Sequence, residues 1–210
     1  MYDYLGTIQK ASQTIHLSPH LVVKEDRIFE GLGTDYISDF LRSEGCDAPE
    51  DYIQFCSAVD FAHIEWEVKP DSIRSLGLEA SMCTTGRIFI DSIENVFAPG
   101  FWLNEIWNEF QHIHQLNVGS RLIPVDYFDP DNSACICYEM KNKKIGPGLF
   151  YFDHREGLLP LDISLDAYFE KLLSYRGVYG WQKALLGGNT QYVAQTTSFI
   201  KKIFNETISG

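Results

Sequence analysis

The chain has 210 residues, of which 45% are hydrophobic and 14% aromatic, and its formal net charge is −12. This length and composition suit one domain with a substantial core and argue against intrinsic disorder. Because nucleic acids and anionic membranes repel an acidic protein, we expect neither as a partner. A basic protein is the natural electrostatic complement, unless the charge serves solubility alone.

The first 45 residues predict two helices and a short strand. Apolar residues recur at helical spacing over 4–15, which indicates a weakly amphipathic helix. The run Leu21–Val23 is typical of a strand. A second helix is expected to begin at Thr34 or Asp35 and to end at Gly45.

A proline-initiated acidic helix is predicted next. Pro49 suits the first helical position, where its missing N–H costs nothing. Glu50 and Asp51 favour the positive end of the helix dipole, and Tyr52 begins the apolar face. The sequence therefore predicts a helix that starts sharply at this point.

Two strands with one wet face are then predicted. Residues 63–68 alternate isoleucine, tryptophan and valine with polar side chains, including Glu65 and Glu67. Such alternation is typical of a half-buried strand, here with an acidic outer face. The segment 87–93 repeats the pattern, and the residues between, 69–86, are expected to form a loop or a weak strand.

The second half of the chain predicts helices around a central meander. A strongly periodic helix is expected over 101–113, and further helices after Ser164 and from Thr190. Hairpin-length connections between the short strands favour antiparallel pairing. These strands are predicted at 122–125, 134–139 and 149–153.

Together these elements predict one α+β domain over residues 1–210. We expect a mixed or mainly antiparallel sheet of about five or six strands, packed with helices on one side. No repeat, low-complexity tract or linker interrupts the pattern, so no domain boundary is expected.

Several motifs occur in an order that resembles the SUKH superfamily, which groups bacterial toxin-immunity proteins with yeast regulators of glucan synthesis and cell-wall growth. The resemblance spans residues 34–187, with helical additions at both ends. It rests on the helix "PEDY", the strand "GRIFI", a "LPL" segment before a helix, and "RG..GWQ" after it. The residues that carry it are Pro49, Glu50, Asp51, Tyr52, Gly86, Pro160, Leu161, Gly177 and Trp181.

The resemblance implies a protein-binding module without catalytic residues. Such a module would be an immunity protein that occludes a basic toxin, for example a nuclease, or a regulatory scaffold of the glucan-synthesis type. Trp66 is expected in the core unless its acidic strand leaves it partly exposed. The residues expected to meet a basic partner are Glu65, Trp66, Glu67, Asp129 and Asp131.

A small hydrolase is the alternative from another class. Asp126, Asp129 and Asp131 fall in the acidic segment "DYFDPDN", where a turn could gather oxygens around a hard cation. That segment has neither the ligand count nor the spacing of a calcium loop, and a turn rich in Asx residues needs no metal. His154 could act as a base, yet no nucleophile in a recognisable elbow accompanies it. We therefore expect no metal and no cofactor.

The cysteines predict a reducing environment. The five cysteines include no CxxC pair, so neither a zinc site nor a disulfide framework is indicated. The first 17 residues lack the basic flank and apolar stretch of a secretion signal, and no apolar run of 18 residues occurs. We expect a cytoplasmic protein.

Overall fold

The computed structural model describes residues 1–78, 84–114, 116, 119–129, 133–187 and 190–204. The helices in these residues are α1 (Tyr4–Leu17), α2 (Thr34–Ser43), α3 (Glu50–Ala58), α4 (Pro70–Ser75), α5 (Ile93–Phe97), α6 (Trp102–Ile113), α7 (Leu165–Tyr175) and α8 (Thr190–Phe204), with a 3₁₀ helix at Trp181–Leu186. The strands are β1 (Leu21–Glu30), β2 (Val59–Val68), β3 (Thr85–Ile90), β4 (Ser120–Asp129), β5 (Ala134–Lys141), β6 (Lys144–Asp153) and β7 (Gly157–Pro160).

The fold is α+β and forms a single domain, as predicted. The seven strands form two antiparallel sheets rather than one sheet of five or six strands. The first sheet has the order β1-β2-β3, and the second has the order β4-β5-β6-β7. Strands β3 and β4 lie side by side without a ladder of hydrogen bonds between them. The two sheets stay separate because other groups bind the backbone of β3 along the edge that does not pair with β2.

The loop after α7 occupies part of that edge. The backbone N–H of Arg87 donates to the carbonyl oxygen of Gly177 at 2.7 Å, and the N–H of Tyr179 donates to the carbonyl of Thr85 at 3.0 Å. Further along β3, the N–H of Phe89 donates to a carboxylate oxygen of Asp126 on β4 at 3.1 Å. Backbone groups that a neighbouring strand would satisfy are therefore satisfied by a loop and a side chain.

Two glycines of the resemblance allow this close packing. A Cβ at Gly86 would lie 2.2 Å from the indole of Trp66. A Cβ at Gly177 would lie 2.7 Å from the carbonyl oxygen of Arg87, and the φ of +66° at Gly177 also favours glycine. Both positions thus have a structural reason to lack a side chain.

Two tryptophans fill the core on either side of this junction. Trp181 is buried and stacks between Tyr168 and Tyr175, with ring centroids 5.2 and 5.0 Å away. Trp66 is only 1% exposed, and its indole N–H donates to the carbonyl of Arg176 at 3.0 Å. The expectation that Trp66 meets a partner is therefore wrong, because its side chain faces inward.

The first and last helices of the described chain, α1 and α8, pack on this core. The hydroxyl of Tyr4 on α1 donates to the carboxylate of Asp166 on α7 at 2.5 Å, and Ile8 is fully buried. Ile200 on α8 is also fully buried, and the hydroxyl of Ser18 donates to the carbonyl of Ile203 at 2.8 Å. The two terminal helices are thus integral parts of the domain.

Three segments differ from the sequence prediction. Strand β1 is far longer than Leu21–Val23, because its polar residues belong to an exposed edge strand. Strand β4 extends beyond the predicted 122–125 through Asp126 and Asp129, both buried, so Asp129 lies in the strand and not in the turn predicted for it. Helix α4 lies within the segment 69–86, which was predicted as a loop or a weak strand.

Replacement of Trp181 by alanine tests the core assignment. Because truncation of a large buried aromatic removes its stacking and leaves a cavity, we expect a loss of about 3–5 kcal/mol in the free energy of unfolding. The control is Trp102→Ala, since Trp102 is only half-buried and should cost less. Equal unfolding midpoints in urea for Trp181→Ala and the unaltered protein would contradict the assignment.

Candidate partner-binding site

The outer face of sheet β1-β2-β3 carries both glutamates that the sequence singled out. Glu65 and Glu67 lie on β2, the central strand, between β1 and β3. Each glutamate pairs with a cationic side chain, so this face is polar but has no excess of negative charge. The ion pairs of this face are Arg87–Glu65 at 2.7 Å, Lys24–Glu67 at 2.5 Å and Arg27–Glu25 at 3.3 Å.

The half-buried pair at the centre of this face has shifted pKa values. Burial raises the pKa of Glu65, but the hydrogen bonds and charge of Arg87 outweigh it and bring the pKa below its usual value. Burial and the charge of Arg87 lower the pKa of the neighbouring His63. Its imidazole, neutral at physiological pH, packs on Phe89 with ring centroids 4.8 Å apart.

A row of phenylalanines crosses the same face. Phe29 on β1 contacts Phe61 on β2, and Phe61 contacts Phe89 on β3, with ring centroids 5.7 and 5.9 Å apart. Phe29 is 54% exposed. Large aromatic side chains on an open sheet are typical of binding surfaces. The sequence prediction missed this row because it ended β1 before Phe29.

A small cleft brings two of the predicted partner-binding residues together. Glu65 and Asp129 both line a cleft of ≈ 140 Å³, with Arg87 and Tyr179 between them. The hydroxyl of Tyr179 donates to the carboxylate of Asp129, which is buried. Asp131 lies outside the described residues. The cleft thus opens where the two sheets diverge.

Asp126 is buried behind this cleft and has no exposed surface. Its carboxylate accepts hydrogen bonds from the hydroxyl of Tyr168 at 2.5 Å, the N–H of Phe89 at 3.1 Å and the amide of Gln182 at 3.3 Å. Burial raises its pKa to about 6, although these donors oppose the shift. Since no substrate can reach it, Asp126 is a structural residue and not the base of a hydrolase.

Of the other residues of the hydrolase alternative, Asp129 and His154 line different clefts. His154 is exposed in the turn after β6, beside a groove lined by Ile106, Phe110 and Ile113 of α6. Within the described part of the chain, no three His, Cys, Asp or Glu side chains are placed to share a metal ion.

The "PEDY" residues position α3 against the second sheet. Pro49 stands at the N-cap position of α3, one residue before the first helical position predicted for it. Glu50 accepts a hydrogen bond from Gln54 on the helix surface. Asp51 accepts a hydrogen bond from Tyr138 at 3.1 Å, and the Tyr52 ring packs edge-on against Tyr138.

The "LPL" residues have a similar supporting role at the other end of that sheet. Pro160 ends β7 opposite Phe150, and Leu161 is buried. The contacts of Asp51, Tyr52 and Leu161 therefore belong to the scaffold around the second sheet.

Comparisons with protein-family models and with curated proteins find no match for this sequence. Across the described residues, no helix has the length and apolar character needed to cross a membrane.

Asp126→Asn tests the cost of the buried carboxylate. Because the folded-state pKa of about 6 exceeds the usual unfolded value, the folded protein binds this proton first as the pH falls. As the pH falls from roughly 8 to 5, the free energy of unfolding of the unaltered protein should therefore increase by about 1 kcal/mol relative to that of Asp126→Asn. Urea unfolding of both proteins at several pH values measures it.

The control for this experiment is Asp162→Asn, which removes an exposed carboxylate. A stability difference between the unaltered protein and Asp126→Asn that does not change with pH would contradict the account of Asp126.

Proposed function

We propose that this chain is a non-catalytic protein-binding module of the SUKH-like immunity type, which neutralises a basic toxin such as a nuclease by occlusion. The observation that carries the proposal is the exposed outer face of sheet β1-β2-β3. There a row of phenylalanines lies between paired charges on a sheet fixed from behind by the core. A preformed surface of this kind binds without the entropic cost of ordering loops.

The charge distribution supports a basic partner. The face itself is balanced, with three acidic and three basic side chains in its ion pairs, whereas the whole chain carries −12. The overall charge would attract a basic protein from a distance, and the aromatic row would supply the buried contacts. Occlusion then requires only that the docked face cover the toxin's active site.

The cysteines support a cytoplasmic setting for this function. Cys46, Cys56, Cys135 and Cys137 are free thiols. Such thiols persist where the compartment is reducing.

The proposal expects a basic protein to be encoded beside this chain, since an immunity gene lies next to its toxin gene, and the test uses that protein. We expect a stoichiometric complex on size-exclusion chromatography and loss of the toxin's activity in the complex. Failure to form a complex, or a complex in which the toxin stays active, would refute the proposal.

Reversal of two charges tests how the outer face contributes to encounter. The double substitution Glu65→Lys and Glu67→Lys leaves Arg87 and Lys24 unpaired, so the face becomes strongly positive. We expect slower association with the basic partner and a weaker dependence on ionic strength, with dissociation changed less. Stopped-flow kinetics at two salt concentrations measures both rates.

The matched control exchanges one pair, Lys24→Glu with Glu67→Lys, which keeps the net charge of the face. It should associate like the unaltered protein. If the doubly reversed variant also associates at the unaltered rate, the outer face does not contribute to encounter.

A further inference from the structure

Three large apolar side chains are exposed at one end of sheet β1-β2-β3. Phe29 near the end of β1 is 54% exposed, Leu32 in the following loop is 53% exposed, and Tyr36 in the first turn of α2 is 41% exposed. Side chains of this size are seldom left in water together on a soluble domain unless they serve binding.

Three carboxylates lie beside these apolar side chains. The hydroxyl of Tyr36 donates to Glu94 in the first turn of α5. Burial raises the pKa of Asp60, at the start of β2, and the nearby charges of Glu94 and Asp91 raise it further. None of the three carboxylates pairs with a cationic side chain of the described residues.

The outer face and this end of the sheet differ in whether their carboxylates have cationic partners. On the open face every glutamate has a cationic partner, whereas at this end the carboxylates repel one another. A cluster of like charges that raises the pKa of one member stores unfavourable electrostatic energy. A cation brought between Asp60, Asp91 and Glu94 would relieve it.

The backbone presents this end rigidly. The N–H groups of Gly31 and Gly33 donate to the carbonyls of Ala58 and Ser57, at 3.0 and 3.3 Å, which pins the loop to the end of α3. A Cβ at Gly31 would lie 2.3 Å from the carbonyl oxygen of Ser57, so this contact requires glycine. An edge-on contact between Phe40 and Phe97, with centroids 5.7 Å apart, joins α2 to α5.

We infer that this end of the sheet, defined by Phe29, Leu32, Tyr36, Asp60, Asp91 and Glu94 and here named the acidic end, docks a basic protein segment that sets an apolar side chain among lysines or arginines. The inference rests on the proposed function and assigns the part of the surface that anchors the toxin. The apolar residues would supply the anchor, and the carboxylates would select cationic neighbours.

Charge decides between a basic partner and the other candidates for this surface. A second copy of the chain would bring the same carboxylates against themselves, and a nucleic acid or an anionic membrane would add phosphates to them. Of these candidates, only a basic protein segment would both bury the apolar side chains and neutralise the carboxylates.

The test measures affinity for the neighbouring basic protein by calorimetry, and the association rate at two salt concentrations by stopped-flow kinetics. Phe29→Ser and Leu32→Ser, each at an exposed position, should raise the Kd at least about tenfold. The double variant Asp60→Asn with Glu94→Gln should slow association and weaken its salt dependence. The matched controls are Leu17→Ser, another exposed leucine, and Asp162→Asn with Glu170→Gln, which removes two exposed carboxylates elsewhere.

The outcomes separate the two proposals. Binding that is weakened by the variants of the acidic end and not by the controls supports the inference. If the unaltered protein binds and all variants bind equally well, the acidic end is not the anchor. The proposed function would then still stand. If the unaltered protein forms no complex, both the function and the inference that depends on it fail.

Discussion

The structure depends on how the free edge of β3 is closed. A strand edge leaves backbone N–H and C=O groups that need partners, and here they come from the loop at Gly177–Tyr179 and from the carboxylate of Asp126. These contacts hold the three-stranded sheet against the four-stranded sheet. They bring Glu65 of the first sheet and Asp129 of the second to the same small cleft.

This junction is made with a buried carboxylate, which carries an energetic cost. A carboxylate without a buried cation is stabilised only by its hydrogen bonds, and Asp126 has donors from β3, from α7 and from the 3₁₀ helix. One side chain therefore links three elements that are distant in sequence. The ring of Tyr168, whose hydroxyl donates to Asp126, stacks on Trp181 in the same core.

Much of the scaffold was predictable because local patterns determine it. Periodicity predicted α6 and α7, Pro49 marked the start of α3, and strict alternation predicted β2. The division into two sheets was not predictable, since it depends on contacts between residues far apart in sequence, such as Phe89 and Asp126. The composition of "DYFDPDN" indicates a turn. Asp126 nevertheless lies in a strand, where its carboxylate accepts hydrogen bonds from buried donors.

The binding surface was predicted only in part for the same reason. The alternation of β2 correctly placed Glu65 and Glu67 on the outer face, but their neutralisation by Arg87 and Lys24 follows from strand register. The acidic end is assembled from β1, β2, α2 and α5, so no local pattern reveals it. Three carboxylates without a cationic partner among the described residues lie there, beside exposed apolar side chains, rather than on the strand whose sequence looks acidic.

Backbone amide hydrogen exchange, compared between the free chain and its complex with the neighbouring basic protein, tests this account most directly. The account predicts slower exchange on binding at residues 28–36, at the start of β2 around Asp60, and at 91–94, because the partner would exclude water from the acidic end. Protection confined to α6 and the β5–β6 hairpin, with exchange at these segments unchanged, would place the docking surface on the other sheet and contradict it.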